Sequence, residues 1–388
     1  MAILKRVVLK GFKSIKEMEL ELRPLNVLIG ANGAGKSNLV SFFKMLNRMM
    51  SKTPAGMGQL QHYIAEVGYA HALLHYGPKE TPQMEATLEF ETDAGINTYY
   101  QRLFHVAGDT LAFADETLDF RRQDWQGPST SPLSLGAGHK ETRIGDEADR
   151  GNQTAKVFRH LLNQCRVFHF HDTSPTARIR QYCYIGDNRW LMPEAGNLAA
   201  FLFRLREQNG RSAYNRIVST IRLIAPFFID FVLEPAGTNK KDLILNWLED
   251  SGELNSVPGT AGSEQVFGPH QLSDGTLRAM CLVALLLQPE DELPDLIIVD
   301  EPELGLHPYA LNLIASLLKK ASHHAQVLIS TQSSSFLDNF DVDDIVVVSR
   351  VGNASRFERP SAEKLGAWLD EYSLGEVWEK NVIGGGPH

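Results

Sequence analysis

Cysteine is scarce in this sequence: Cys165, Cys183 and Cys281 are its only three. An odd number without a CxxC pair argues against a disulfide framework or a zinc knuckle and fits a reducing cytoplasm. Long apolar runs are missing too. The longest, Met280 to Leu287, falls far short of the roughly 20 residues that a spanning helix needs. The opening Met-Ala-Ile-Leu-Lys-Arg brings charge before an apolar signal core can form. A soluble cytoplasmic protein without membrane association is therefore expected. An excess of basic charge is lacking as well: 38 Lys+Arg stand against 47 Asp+Glu, a formal net charge of −9. That speaks against a chain that coats nucleic acid unaided, although a local basic groove remains compatible, because a partner responds to the local field. There is no internal repeat, and no heptad run is sustained over the three to four heptads that would indicate a coiled coil.

What is present suits one large core or two modest ones: 388 residues, 43% hydrophobic and 22% charged. The chain opens with two strands, residues 3–9 and a second in which Met18, Leu20 and Leu22 alternate with glutamates. Leu25 to Ile29 is a short buried strand leading into a glycine-rich loop. A helix follows from Ser37 to about Met49, with Leu39, Phe42, Phe43 and Leu46 on one face. A loose stretch with Pro54, Gly56 and Gly58 precedes a helix through Tyr63 and Leu74. From Met84 the period changes to two, so an antiparallel β subdomain is expected over 82–122. Residues 126–155, rich in Gly, Ser, Pro and charge, read as a mobile loop. An inserted lobe over 156–264 carries two amphipathic helices, the first with Asn197 as N-cap and Gly210 as stop, the second ended by Pro226. From Gln271 the α/β alternation returns: helix 273–287, strand 295–299, helix 309–320, strands 326–330 and 344–348, then a tail over 351–388. The fold class is α/β.

Three motifs carry chemistry. Gly30-Ala31-Asn32-Gly33-Ala34-Gly35-Lys36-Ser37 is a full GxxxxGKS between a strand and a helix. Its glycines let backbone N–H groups turn inward around phosphates, and the helix dipole points at them. Lys36 reaches the β- and γ-phosphates, and the Ser37 hydroxyl ligates magnesium. Leu296 to Val299 then reads as a buried parallel strand that ends in Asp300 and Glu301. Asp300 suits the magnesium shell, and Glu301 suits polarisation of an attacking water. The third is Leu272-Ser273-Asp274-Gly275-Thr276, about 24 residues before Asp300. It offers a serine hydroxyl, a glycine that keeps side chains away, and a helix N-terminus to a phosphate. His169-Phe170-His171-Asp172 puts two histidines on one strand face, but no third metal ligand stands at a known spacing. Cys281 reads as core, and Arg178, Arg180 and Arg189 carry no individual assignment.

This third motif resembles the signature motif of ABC ATPases, usually LSGGQ. Glu303-Leu304-Gly305-Leu306-His307-Pro308 lies where that family has its D-loop, and Gln332, in Ile329-Ser330-Thr331-Gln332-Ser333, lies where it has a switch histidine. A glutamine can orient water but cannot become a cation. Phe12-Lys13-Ser14, together with Asn38 directly after Gly-Lys-Ser, resembles the RecF/SMC/OLD branch. No long coiled coil lies between Ser37 and Leu272, and the 56 residues after Gln332 leave no room for a Toprim domain. The resemblance implies an ABC head built on a P-loop core over 1–80 and 265–350. It implies binding of ATP and Mg by Gly30, Asn32, Gly33, Ala34, Gly35, Lys36, Ser37, Asn38 and Asp300, and catalysis by Glu301 and Gln332. Ser273, Asp274 and Gly275 would act on the nucleotide held by a second chain, in a head-to-tail homodimer with two composite sites. DNA or an effector protein is the implied partner, as in repair or phage defence. The alternative is an ATP-locked scaffold that scarcely hydrolyses and recruits a nuclease or toxin. A transporter subunit fits less well with Gln332. The family's Q-loop residue has no clear counterpart here; Gln83 merely lies in the region.

Overall fold

The alternating residues at the start of the chain pair into a hairpin of Ile3–Phe12 with Ile15–Glu21. The structure, a computed structural model, describes residues 2–51, 58–124, 132–208, 210–249 and 265–386. The loose stretch at Pro54 and Gly56, and 126–131 of the expected loop, lie outside these. The hairpin does not stand alone. Ile3–Phe12 also pairs with Gln83–Thr92, whose other edge continues through Gly95–Val106, Thr110–Arg122 and the short Leu133–Ser134. The subdomain expected over 82–122 is therefore part of one six-stranded antiparallel sheet that begins at residue 3. Matched alternation explains the joining: Val7 pairs with Leu88 and Leu9 with Ala86. All four are buried, so both strands put their apolar residues on one face.

A second six-stranded sheet runs Ala354–Glu358, Ile345–Val351, Leu25–Ile29, Gln326–Thr331, Leu296–Asp300, Cys165–Phe168. Its central strands are parallel. They are apolar almost throughout because both faces are covered; all of Leu25–Ile29 is buried. Helix Lys36–Met50 buries Leu39, Phe42, Phe43 and Leu46, the expected face. The helix expected through Tyr63 and Leu74 is two, Leu60–Glu66 and Tyr69–Leu73, broken at the left-handed Gly68.

Chain contacts divide the protein into two units. One comprises 1–167, 294–300 and 325–388, and holds both six-stranded sheets; the other comprises 168–293 and 301–324. The boundary differs from the expected grouping of 1–80 with 265–350, because 265–293 and 301–324 belong to the second unit. That unit contains helices Leu198–Glu207, Arg211–Ile224, Asp274–Leu286 and Pro308–Ala321 and two small antiparallel sheets. Asn197 is the N-cap residue of the first of these helices, as expected, but its side chain makes no cap hydrogen bond. Its amide instead accepts from the Met192 N–H and donates to Asp187 and Trp190 carbonyls. Gly210 opens the next helix rather than stopping the previous one.

Two segments are more ordered than their composition suggests. Within 126–155, helices Ile144–Asp149 and Gln153–Asn163 form, the latter capped by Asn152 accepting from the Ala155 N–H at 3.0 Å. Beyond 351 come strand Ala354–Glu358 and helices Ala362–Leu369 and Leu374–Glu379, with Val377 and Trp378 buried.

Inside the antiparallel sheet sits a buried polar network. The Glu116 carboxylate accepts from the Tyr99 hydroxyl at 2.9 Å, the Thr142 hydroxyl and the Arg143 N–H at 3.1 Å. His139 Nε2 lies 3.7 Å away, its ring stacked on Phe113. Burial pushes Glu116 above its ordinary value, against the opposing pull of these donors. Burial chiefly, and Glu116 next, raises Tyr99 as well.

Candidate nucleotide site

Parallel register brings the first two motifs together. Ile29, the last residue before the glycine loop, pairs with Thr331, and Asp300 pairs with Ser330 on the same intervening strand. Gly30, Asp300 and Gln332 thus leave neighbouring strands at their carboxyl ends, where open α/β sheets place ligands. Asp300 also feels the half-buried Lys44 on the loop's helix. Burial lowers Lys44 below the usual lysine range, and Asp300 partly opposes that.

The loop is shaped for an anion. Gly33 and Gly35 have φ of 77° and 113°, which no side-chain-bearing residue adopts without strain. Helix Lys36–Met50 has Gly35 as its N-cap with no side-chain cap, so its first N–H groups face the loop. The buried Lys36 ammonium donates to the Gly30 and Ala31 carbonyls at 2.5 and 3.2 Å. Asn32, Gly33 and Ser37 are exposed, and Ala34 is buried. A Cβ on Gly30 would lie 2.2 Å from the Val348 carbonyl, so this position is closed to side chains. The loop's N–H groups and lysine fit a polyphosphate. The exposed Ser37 hydroxyl and the Asp300 carboxylate are hard oxygen donors of the kind magnesium takes.

Side chains from far along the sequence brace this loop. The Ser14 and Ser355 hydroxyls are 2.6 Å apart, Asn38 donates to Ser14 at 2.5 Å, and Ser355 donates to the Ala34 carbonyl at 2.6 Å. The Gly385 carbonyl accepts from the Ala31 N–H and from the Trp378 indole, each at 3.0 Å. Arg350 lies 3.5 Å from the Gly33 carbonyl and donates to the Tyr76 hydroxyl at 3.1 Å. Lys13, Ser14, His71, Tyr76 and Arg350 line a cavity of about 370 Å³ beside the loop. Burial, then Lys44, lowers Lys13.

In the second unit, Ser273 caps helix Asp274–Leu286, its hydroxyl accepting from the Thr276 N–H at 3.1 Å. Ser273 and Asp274 are exposed, and Gly275 is partly so. Glu301 has a φ of 44°, a left-handed kink directly after the strand. His307 caps helix Pro308–Ala321, with Pro308 at its first turn. Arg278 donates to the Leu304, Phe170 and His171 carbonyls. Among the described residues, no cluster of three metal-type ligands forms, at His169 and His171 or elsewhere.

A family model described as "AAA ATPase domain" matches residues 1–100, and one described as "AAA domain, putative AbiEii toxin, Type IV TA system" matches 192–338. No curated protein matches the chain. Among solved structures, an SMC head bound to the C-winged helix domain of ScpA aligns at a TM-score of 0.60 and 17% identity, covering 93% of this chain and 99% of that one. An SMC head with an extended coiled coil, bound to the C-terminal domain of ScpA derived from Pyrococcus furiosus, aligns at 0.57 and 14% identity, covering 96% and 99%. The chain has the fold of an SMC head, and models of AAA ATPase domains match two parts of it.

The packing around Gly275 leaves no room for a side chain. A Cβ there would lie 2.1 Å from the Gly305 carbonyl of the same chain. Glycine at 275 is therefore required by close packing of helix Asp274–Leu286 on the turn at Gly305, whatever approaches from outside. A substitution there would disturb both at once and cannot report on a second chain. Sequence reasoning also missed Ser355, Gly385 and Arg278, and gave Arg180 no role. None belongs to a contiguous motif, and only Ser14 had a signal, through Phe12-Lys13-Ser14.

Proposed function

We propose that the head binds ATP with magnesium at two composite sites of a head-to-tail dimer, hydrolyses it, and passes the closure to DNA or an effector protein. The observation that carries this is the shared register of the glycine loop, Asp300 and Gln332 at the carboxyl ends of adjacent parallel strands. The N–H groups of Gly33, Gly35, Lys36 and Ser37 and the Lys36 ammonium hold the triphosphate. The cavity by Lys13, Tyr76 and Arg350 takes the base end, with Tyr76 offering a face for stacking. Ser37 and Asp300 hold magnesium, which when bound neutralises charge on the β- and γ-phosphates. Glu301 polarises the water, and Gln332 orients it. Ser273 and the helix N-terminus behind it complete the site of the other chain. That the similar solved heads are bound to ScpA domains supports a protein partner for this head too.

Gln332 favours a second reading, an ATP-locked scaffold with little turnover that recruits a nuclease or toxin. Steady-state phosphate release with and without duplex DNA separates the two. Turnover that DNA stimulates supports the coupled ATPase. MgATP binding with no turnover in either condition supports the scaffold, and absence of MgATP binding sinks both.

A further inference from the structure

We propose that Arg180 is the positioning residue of the signature turn: its buried guanidinium restrains the Asp274 carboxylate and the Leu272 carbonyl, so that the Ser273 hydroxyl and the helix amides face the γ-phosphate of a second chain. The proposal rests on the dimer reading above and adds to it a residue that no motif marks.

Arg180 closes the short helical turn Arg178–Arg180, and its side chain is 5% exposed. Nε donates to the Thr173 carbonyl at 2.8 Å. Nη1 donates to the Pro269 carbonyl and, at 3.3 Å, to that of Leu272. Nη2 reaches the Leu272 carbonyl at 3.3 Å and the Asp274 carboxylate at 2.9 Å. One planar fork thus spans the approach to the signature turn, the residue before its serine and the residue after it. A guanidinium fixes several acceptors in one plane, which a flexible ammonium cannot do.

The chemistry explains why a full charge is spent in a buried place. A buried cation is costly unless it is paired, and the one carboxylate within salt-bridge distance of Arg180 among the described residues is Asp274, itself 64% exposed. The usual form of the motif has glycine at this position. Asp274 places a negative charge on a turn that is to meet a polyphosphate, and like charges at such a junction oppose closure. Pairing with Arg180 cancels that charge and holds the carboxylate to one side. The Ser273 cap, bonded to the Thr276 N–H, then keeps its place at the front of the turn. Arg180 acts through these groups and does not itself touch the nucleotide.

The test uses the full chain with Glu301→Gln, to hold ATP, and adds Arg180→Met, Arg180→Lys, Asp274→Asn, or Arg180→Met with Asp274→Asn. A fluorescent ATP analogue at low protein concentration reads binding by one head. Sedimentation velocity with MgATP reads dimer formation, and a thermal melt confirms folding. Nucleotide affinity should stay within about twofold in every variant, because the lesion is remote from the glycine loop. Arg180→Met should weaken the ATP-dependent dimer about tenfold or more. Arg180→Lys, which keeps the charge but loses the fork, should fall between and stays informative if the Met variant does not fold. The double variant should recover part of the loss, since the orphaned carboxylate is gone; a merely structural arginine would show no such rescue. A Met or Lys variant that dimerises like its parent, or a double variant as weak as Arg180→Met, overturns the proposal alone. A Glu301→Gln parent that stays monomeric in MgATP overturns the dimer reading, and this one with it.

Discussion

At the scale of single residues, the glycine loop makes a contrast that can be measured. Gly30 and Gly33 look alike in the motif, yet a Cβ on Gly30 meets the Val348 carbonyl at 2.2 Å while one on Gly33 meets nothing within 4 Å. Gly30→Ala must displace backbone and should cost about 1–3 kcal/mol of stability along with nucleotide binding. Gly33→Ala adds only left-handed strain at its φ of 77°, about 1 kcal/mol. Paired thermal melts and MgATP titrations check the order, and equal effects would show that the loop relaxes freely around Gly30. Lys36→Ala should weaken MgATP binding about tenfold or more, as expected for losing hydrogen bonds from a charged group; an unchanged dissociation constant would remove Lys36 from the site. Glu301→Gln should leave that constant intact and slow phosphate release by about a hundredfold, with parental turnover in a single-round assay excluding it as the base.

At the scale of elements, strands and helices with strict periodicity were legible, and what they pair with was not. Leu25–Ile29, helix Lys36–Met50, Leu296–Asp300 and Gln326–Thr331 came close to their expected bounds, because each is apolar in a pattern that suits one structure only. The joining of Ile3–Phe12 to Gln83–Thr92 depends on a pairing across the chain that alternation permits without specifying. Helix Ile144–Asp149 hid within a loop-like composition because only Ile144, Gly145 and Ala148 are buried in it. The Glu116 network was equally invisible, since a lone glutamate in an alternating strand looks like surface. Its pH behaviour follows from burial. Glu116 is raised above 4.5 in the folded state, so its stability contribution is fully present below that value and is lost as pH rises through the raised one. Glu116→Gln removes this titration, and the melting temperature of the variant should therefore gain on the parent as pH climbs from 4.5. Parallel melting curves at acidic and neutral pH would show that the carboxylate stays ionised at no cost.

At the scale of the whole molecule, contiguous motifs announced the chemistry, and the residues that hold them in place did not. Asp300 and Gln332 were legible because each stands at the end of an apolar strand. Arg180 and Asp274 lie far apart in sequence, as do Ser14 and Ser355, and no local pattern links either pair. The proposed dimer is likewise beyond local pattern and has its own test. Chains with Lys36→Ala and chains with Ser273→Arg are each expected to lack ATP-dependent turnover. Ser273 is chosen as the lesion on this turn because Gly275 is packed against Gly305 within one chain. A mixed dimer has one site bearing both lesions and one bearing neither, so mixing should restore up to about half of the activity of the parental dimer on a per-dimer basis. Restoration that fails at all mixing ratios would mean that each chain works alone.

Gly385 has a practical consequence. Its carbonyl takes one hydrogen bond from the P-loop and one from the Trp378 indole, so the protein carries an optical probe one acceptor away from its nucleotide loop. An indole's emission depends on the bond its nitrogen makes and on the polarity around it. Any nucleotide that shifts Ala31 should therefore change the fluorescence of the native chain, without a dye. Subtracting the spectrum of a Trp378→Phe variant isolates that signal from the other four tryptophans, and a stopped-flow trace of the difference would time the loop itself.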